Sequence, residues 1–176
     1  MTPLDVSIAT IAPDQLEAHV ADIKRFICET NEPNAIGADD RMCLSWALAF
    51  CYEPNGEERV ASLLKRGADP NLPTAWSNFV TFMTAASRTE PLQLMIEAGL
   101  DLNAVYELDD ELMLTQPAGS YTLLDYALNV EAYLNRRDKR WVKKIDKHTG
   151  PPTGRRLFVA EVIAMLKEHG ATSAAV

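Results

Sequence analysis

Cysteine, histidine and glycine are scarce: three, three and eight among 176 residues. Cys28, Cys43 and Cys51 are odd in number and form no Cys-x-x-Cys pair, which fits small buried hydrophobes in a reducing compartment better than a disulfide framework. Cys43 and Cys51, read as sharing one helix, would stand roughly 12 Å apart, too far to bridge. His19, His148 and His169 are scattered and lack the spacing of metal ligands, so no metal is expected. No apolar run approaches the roughly 18 residues of a membrane helix, and Met1 to Val20 shows no basic region followed by an apolar block. A cytoplasmic location is therefore expected, with no membrane partner. Gly-x-Ser-x-Gly, Gly-x-x-x-x-Gly-Lys, Gly-x-Gly-x-x-Gly and His-Glu-x-x-His are all missing. Neither a catalytic residue nor a cofactor is expected from motifs. Positive charge is also short, with 17 basic against 25 acidic residues and a net charge of −8, which argues against nucleic-acid binding by the chain as a whole.

What the chain does have is apolar residues at 47% and a recurring segment. The apolar content is ordinary for a globular protein and too high for disorder, and the length fits one domain, 1–176. Val60–Asn71 reads VASLLKRGADPN, Leu92–Asn103 reads LQLMIEAGLDLN, and Ile163–Ser173 reads IAMLKEHGATS. Aligned on Gly67, Gly99 and Gly170, they place Val60, Leu92 and Ile163 at one position and Leu63, Met95 and Leu166 three residues on. Each predicts a helix with an apolar stripe, ended by a glycine suited to a left-handed turn. Asp-x-Asn follows the first two, a tight-turn signal. Upstream lies a second recurring element, MCLSWAL (Met42–Leu48), VTFMTAA (Val80–Ala86) and TLLDYAL (Thr122–Leu128). Each has a bulky residue (Leu44, Phe82, Leu124) three before an alanine (Ala47, Ala85, Ala127) that allows helices to approach closely. The unit is helix, short link, helix, glycine turn, extended loop.

These residues resemble the ankyrin-repeat family, whose unit of about 33 residues has a Thr-Pro-Leu-His-x-Ala helix and a second helix ending in Leu-Leu-x-x-Gly-Ala-x-x-Asn. LLKRGADPN (Leu63–Asn71) matches the second half nearly perfectly, and MIEAGLDLN (Met95–Asn103) and MLKEHGAT (Met165–Thr172) match it well. YTLLDYAL (Tyr121–Leu128) matches the first half, with Leu123 and Asp125 where the family has Pro and His. Gly67 and Gly99 are 32 residues apart. The resemblance implies an all-α, ankyrin-type solenoid of about three to four repeats: a cap or degenerate repeat at 14–41 (with Leu16, Val20, Ile23 and Ile27 at helical spacing), then repeats at 42–78, 79–119 and 120–176. It covers most of Asp14 to Ala171 and is silent about activity.

Three departures stand out. The first unit has a longer link, Tyr52 to Arg59, containing Pro54 and Gly56. The loop from Ala104 to Ser120 exceeds what a turn needs, and long loops without secondary structure are usually functional. In the last repeat Ala127 and Gly170 lie 43 residues apart, against 20 for Ala47–Gly67 and 14 for Ala85–Gly99, so 130–156 is an insertion or a pair of extended helices. Residues 136–156 hold nine basic residues and two acids, so this segment carries +7 and the rest of the chain −15. Its Trp141, Val142 and Ile145 also form an apolar stripe, with the basic face then simply solvated.

The candidate surface follows from these loops. Tyr106 beside Glu107, Asp109, Asp110 and Glu111 makes either a plain solvated loop or an aromatic anchor rimmed by acids, as interfaces favour. Trp76 either projects from its loop as a second anchor or caps the core beside Phe79; Trp46, at a helical position, is expected in the core. Arg137, Arg140 and Lys144 of the basic segment offer a secondary contact. The acidic run lacks the glycine and ligand spacing of a calcium loop. HTGPPTGRR (His148–Arg156) is a weak phosphate-loop resemblance, since Pro151 and Pro152 lack N–H donors. A small, acidic ankyrin-like chain resembles an inhibitor or immunity protein that neutralises a toxic, nuclease-like effector with a basic surface, as a monomer or a 1:1 heterocomplex. A regulatory adaptor for an endogenous protein is the alternative. An enzyme using Asp125, Asp138, His148 and Arg155 is the third, and needs a pocket that collects them.

Overall fold

The computed structural model describes residues 1–72, 88–108, 119–142 and 154–174, with the backbone alone at 39, 108, 137–142 and 154–158. The chain is mostly helical, as expected. It divides into two compact units, Met1–Thr81 with Glu90–Leu100 and Phe82–Thr89 with Asp101–Val176.

The first unit opens with 3-10 turns at Pro3–Asp5 and Ile8–Thr10, followed by α1 (Leu16–Glu29), α2 (Cys43–Ala49), α3 (Gly56–Lys65) and α4 (Thr89–Glu97). Helix α1 turns Ile23 and Ile27 fully inward while Leu16, at the start of the same apolar spacing, stays exposed. Helix α2 buries Leu44, Trp46 and Ala47, and α3 buries Val60 and Leu63 at no measurable exposure. Full burial of each such Leu, Ile or Val side chain stabilises the fold by about 1.5–3 kcal/mol relative to leaving it in water. Ala47 is fully buried at the helix-approach position read from the sequence, and Trp46 lies in the core as expected, stacked on Phe50 with ring centroids 5.4 Å apart. Pro91 sits in the first turn of α4, where its missing N–H costs no helical bond.

Three local expectations fail here. Helix α2 ends at Ala49, so Cys51 lies in the following turn and does not share a helix with Cys43. Cys43 and Cys51 are buried but Cys28 is exposed, because it falls on the outer side of α1 while Ile23 and Ile27 face inward. Burial pushes the Cys43 thiol up to about 11. The link after α2 is also shorter than read, since Gly56 already begins α3. A Cβ on Gly56 would lie 2.4 Å from the Cys51 carbonyl oxygen, so only glycine lets the chain re-enter helix that soon. Arg59 organises this link. Its guanidinium donates to the Phe50 and Pro54 carbonyls and to Glu53, which also pairs with Lys24 at 2.6 Å.

The second unit holds β1 (Tyr106–Leu108), β2 (Gly119–Tyr121), α5 (Leu123–Val142) and α6 (Gly154–Glu168). The two short strands were not anticipated; what read as one long loop is bounded by an antiparallel hairpin, with Tyr106 opposite Tyr121, Glu107 opposite Ser120 and Leu108 opposite Gly119. Within 130–156, α5 runs on to Val142 and α6 begins at Gly154. Helices α5 and α6 pack on each other, with Leu123, Tyr126 and Ala127 buried on one and Val159, Val162 and Leu166 on the other. Burial pushes the Tyr126 phenol up to about 12. The recurring segment Val80–Ala86 lies outside the described residues.

Candidate partner-binding surface

One turn geometry recurs at the ends of α3, α4 and α6. Gly67, Gly99 and Gly170 take φ of 93°, 91° and 84°, the left-handed region where a side chain is strained. The next residue's N–H reaches back five positions: Ala68 to the Leu63 carbonyl at 3.0 Å, Leu100 to Met95 at 2.9 Å and Ala171 to Leu166 at 2.9 Å. This closes each helix and satisfies its last carbonyls.

An asparagine serves each of these turns. In the first unit the Asn34 side-chain amide donates to the Gly67 carbonyl at 3.0 Å while its oxygen accepts the Asp69 N–H at 2.7 Å. Asn71 donates to the Gly99 carbonyl at 2.9 Å. In the second unit the Asn103 oxygen accepts the Thr172 N–H and hydroxyl, both at 2.8 Å. Asp69 and Asp101 shape their own loops, each accepting the N–H two residues on, from Asn71 and Asn103. Arg66 adds a brace in the first unit by donating to the Ile27 and Thr30 carbonyls, which are left open at the end of α1.

The starts of α2 and α5 also correspond. The third helical residue accepts the N–H of the residue before the helix: Ser45 from Met42 at 3.0 Å, Asp125 from Thr122 at 3.1 Å. Asp125 does more. Its two oxygens also receive the Thr122 hydroxyl at 2.9 Å, the Ala174 N–H at 2.9 Å and the Ser173 hydroxyl. Burial alone would raise this carboxyl, but the hydrogen bonds from Ser173, Thr122 and Ala174 outweigh it and hold Asp125 below the usual carboxylate range. The Asp125 carboxylate therefore ties the chain after α6 to the start of α5.

The hairpin stands directly before that anchor. Glu107 is exposed and accepts the Ser120 hydroxyl at 2.7 Å across the ladder. Tyr106 is half-buried; burial, and secondarily the charge of Asp101, pushes its phenol up. Of the acids and aromatics singled out in the sequence, Tyr106 and Glu107 are thus adjacent on β1, and Asp109, Asp110 and Glu111 follow on the connection outside the described residues. Trp76, Lys144 and His148 also lie outside them. The backbones of Arg137, Asp138 and Arg140 lie on α5 and that of Arg155 on α6. Asp125 is committed to its four donors, whereas the other members of the enzyme-like set carry no described side chain. Among the described residues no group of three or more His, Cys, Asp or Glu is placed to hold a metal, and no helix is long and apolar enough to cross a membrane.

The asparagine rungs, the Arg66 brace and the Glu107–Ser120 pair were not singled out from sequence. The rungs had a signal, because Asn71 and Asn103 each stand four residues after a turn glycine. The other two join residues distant in sequence and left none. Compared with known proteins, the chain matches no family model, no curated protein and no solved structure.

Proposed function

We propose that this chain is an ankyrin-type solenoid of about three to four repeats acting as a non-catalytic protein-binding module, and specifically an inhibitor or immunity protein that occludes a toxic effector with a basic surface. One observation carries the reading: the same glycine turn recurs three times, each with an asparagine in attendance. Repeated turns of this kind suit units that bury their apolar faces on neighbours and present loops along one edge, an arrangement that serves protein recognition. The loop with a hairpin at its base carries Tyr106 and Glu107 into the acidic run, and the charge of −15 outside residues 136–156 favours a basic partner. The step from binding to neutralising a toxin rests on analogy with small acidic inhibitors.

The test is capture from extracts of the source cell with the tagged full chain, identification by mass spectrometry, and assay of the captured protein's activity with and without stoichiometric chain. A basic effector captured at 1:1 and silenced on addition is the expected result. Capture of an endogenous protein whose activity does not fall would overturn the inhibitor reading.

A further inference from the structure

The basic segment, read from sequence as at most a secondary contact, is left unused by the proposed function, and the second unit shows where part of it lies. Thr122, just before α5, donates to the Thr172 carbonyl just beyond α6, and Asp125 in the first turn of α5 holds Ser173 and Ala174. The start of α5 is therefore beside the end of α6. The two helices pack on each other, so they run antiparallel, and the end of α5 stands near the start of α6. Arg136, Arg137, Lys139 and Arg140 occupy the end of α5, and Arg155 and Arg156 the first turn of α6. Six basic positions, five of them arginine, thus collect at one end of the helical pair against one acid, Asp138. Arg136 is exposed, as are Ala132 and Asn135 before it, and Lys139 and Arg140 follow three and four residues on, along the same side of the helix.

We propose that this end of the α5–α6 pair is a binding site for the phosphodiester backbone of nucleic acid, independent of the acidic protein-docking surface and without base selection. At 1.5 Å per residue, Arg136 and Arg140 lie about 17 and 22 Å along α5 from Asp125. That is at least two screening lengths of about 8 Å in physiological salt, so the Asp125 carboxylate is largely screened from this end. The nearest acids along the two helices, besides Asp138, are Glu131 and Glu161, each about one and a half turns away. Residues three and four apart on a helix stand about 5–6 Å from one another. A nucleic-acid strand supplies a charge about every 3.4 Å of its axis and so meets such a row continuously. Arginine's planar fork pairs with phosphate through two parallel hydrogen bonds. A phosphodiester strand repeats that charge along its whole length, which favours it over an acidic protein.

The experiment uses the full chain and a fluorescein-labelled single-stranded DNA 20-mer of mixed sequence, read by anisotropy from 50 to 300 mM salt. Four to six phosphate contacts predict a log–log salt slope of about −3 to −4. Joint replacement R136Q/R137Q/R140Q should weaken binding at least about tenfold and flatten the slope by about 2, with unchanged helical circular dichroism. R155Q/R156Q on the other helix is the second variant, expected to weaken binding and to serve if the first does not fold. Absence of binding at 50 mM salt, variants that bind as the parent does, or displacement of the oligonucleotide by polyglutamate at equal charge concentration would each overturn the proposal; the last would assign the site to acidic protein instead. None of these results depends on whether a basic effector is captured.

Discussion

Gly37 and Gly67 both sit outside helices and strands, yet different physics requires them. Gly67 needs its backbone angle: φ is 93° and a Cβ there would meet nothing within 4 Å. Gly67→Ala should cost only the left-handed strain, about 1 kcal/mol. Gly37 has an ordinary φ of −100°, but a Cβ would stand 2.1 Å from the Leu4 carbonyl oxygen. Gly37→Ala must push away the segment carrying the buried Leu4, at a cost of about 2 kcal/mol or more if that side chain loses its burial. Urea unfolding midpoints should therefore fall further for Gly37→Ala than for Gly67→Ala, and the opposite order would show that steric fit at Leu4 is not what Gly37 supplies. Asp125 makes a second residue-scale case. Its folded carboxyl titrates below the ordinary value of 3.8. Its contribution is therefore full above that unfolded value and is lost as pH falls through the lower folded one. Asp125→Asn replaces one acceptor oxygen with a donor facing N–H and O–H groups, and should cost about 2 kcal/mol at pH 7. The difference from the parent should shrink toward pH 2; a difference independent of pH would mean the carboxylate charge is not what anchors the chain after α6.

Turns, rather than helices, distinguish this fold at the scale of elements. Each rung spends one asparagine on backbone groups that a helix end leaves open, so replacing Asn34 or Asn71 by Ala should cost about 1 kcal/mol apiece. Asn34→Ala removes two bonds of the kind described and Asn71→Ala at least one, so thermal melts should show a loss at both. No loss at either would reduce the rungs to decoration. How much of this was legible in sequence follows from range. Helices α3, α4 and α6 were legible because an apolar stripe and a terminal glycine are both local signals. The strands β1 and β2 were not. Tyr106–Leu108 and Gly119–Tyr121 are three residues each, too short for alternation to register, and their pairing spans residues 109–118. The early start of α3 was missed because Pro54 and Gly56 read as a loop, whereas Gly56 packs against the Cys51 backbone and begins the helix. Of the candidate surface, residue types and charge could be read; the seating of Tyr106 opposite Tyr121, and the commitment of Asp125 to the chain after α6, depend on partners up to 49 residues away.

Charge separation is the property of the whole molecule from which a rate can be argued. On the proposed reading, a net −15 outside residues 136–156 would attract a basic partner over distances at which no contact has formed, and such attraction acts on association far more than on dissociation. Asp109, Asp110 and Glu111 supply three of those charges next to Glu107, whose side chain the Ser120 hydroxyl already positions. Neutralising all three as D109N/D110N/E111Q, with a captured basic partner, should slow association by roughly tenfold at 20 mM salt and by much less at 300 mM, where the screening length is shorter than the approach distance. Dissociation should change little if these acids form the rim and Tyr106 the anchor, since truncating an anchor, as in Tyr106→Ala, acts mainly on the rate of leaving. Stopped-flow association at the two salt concentrations separates the contributions. An association rate untouched by the triple change at low salt would take the acidic loop out of the docking surface and leave the partner to be recognised elsewhere on the chain.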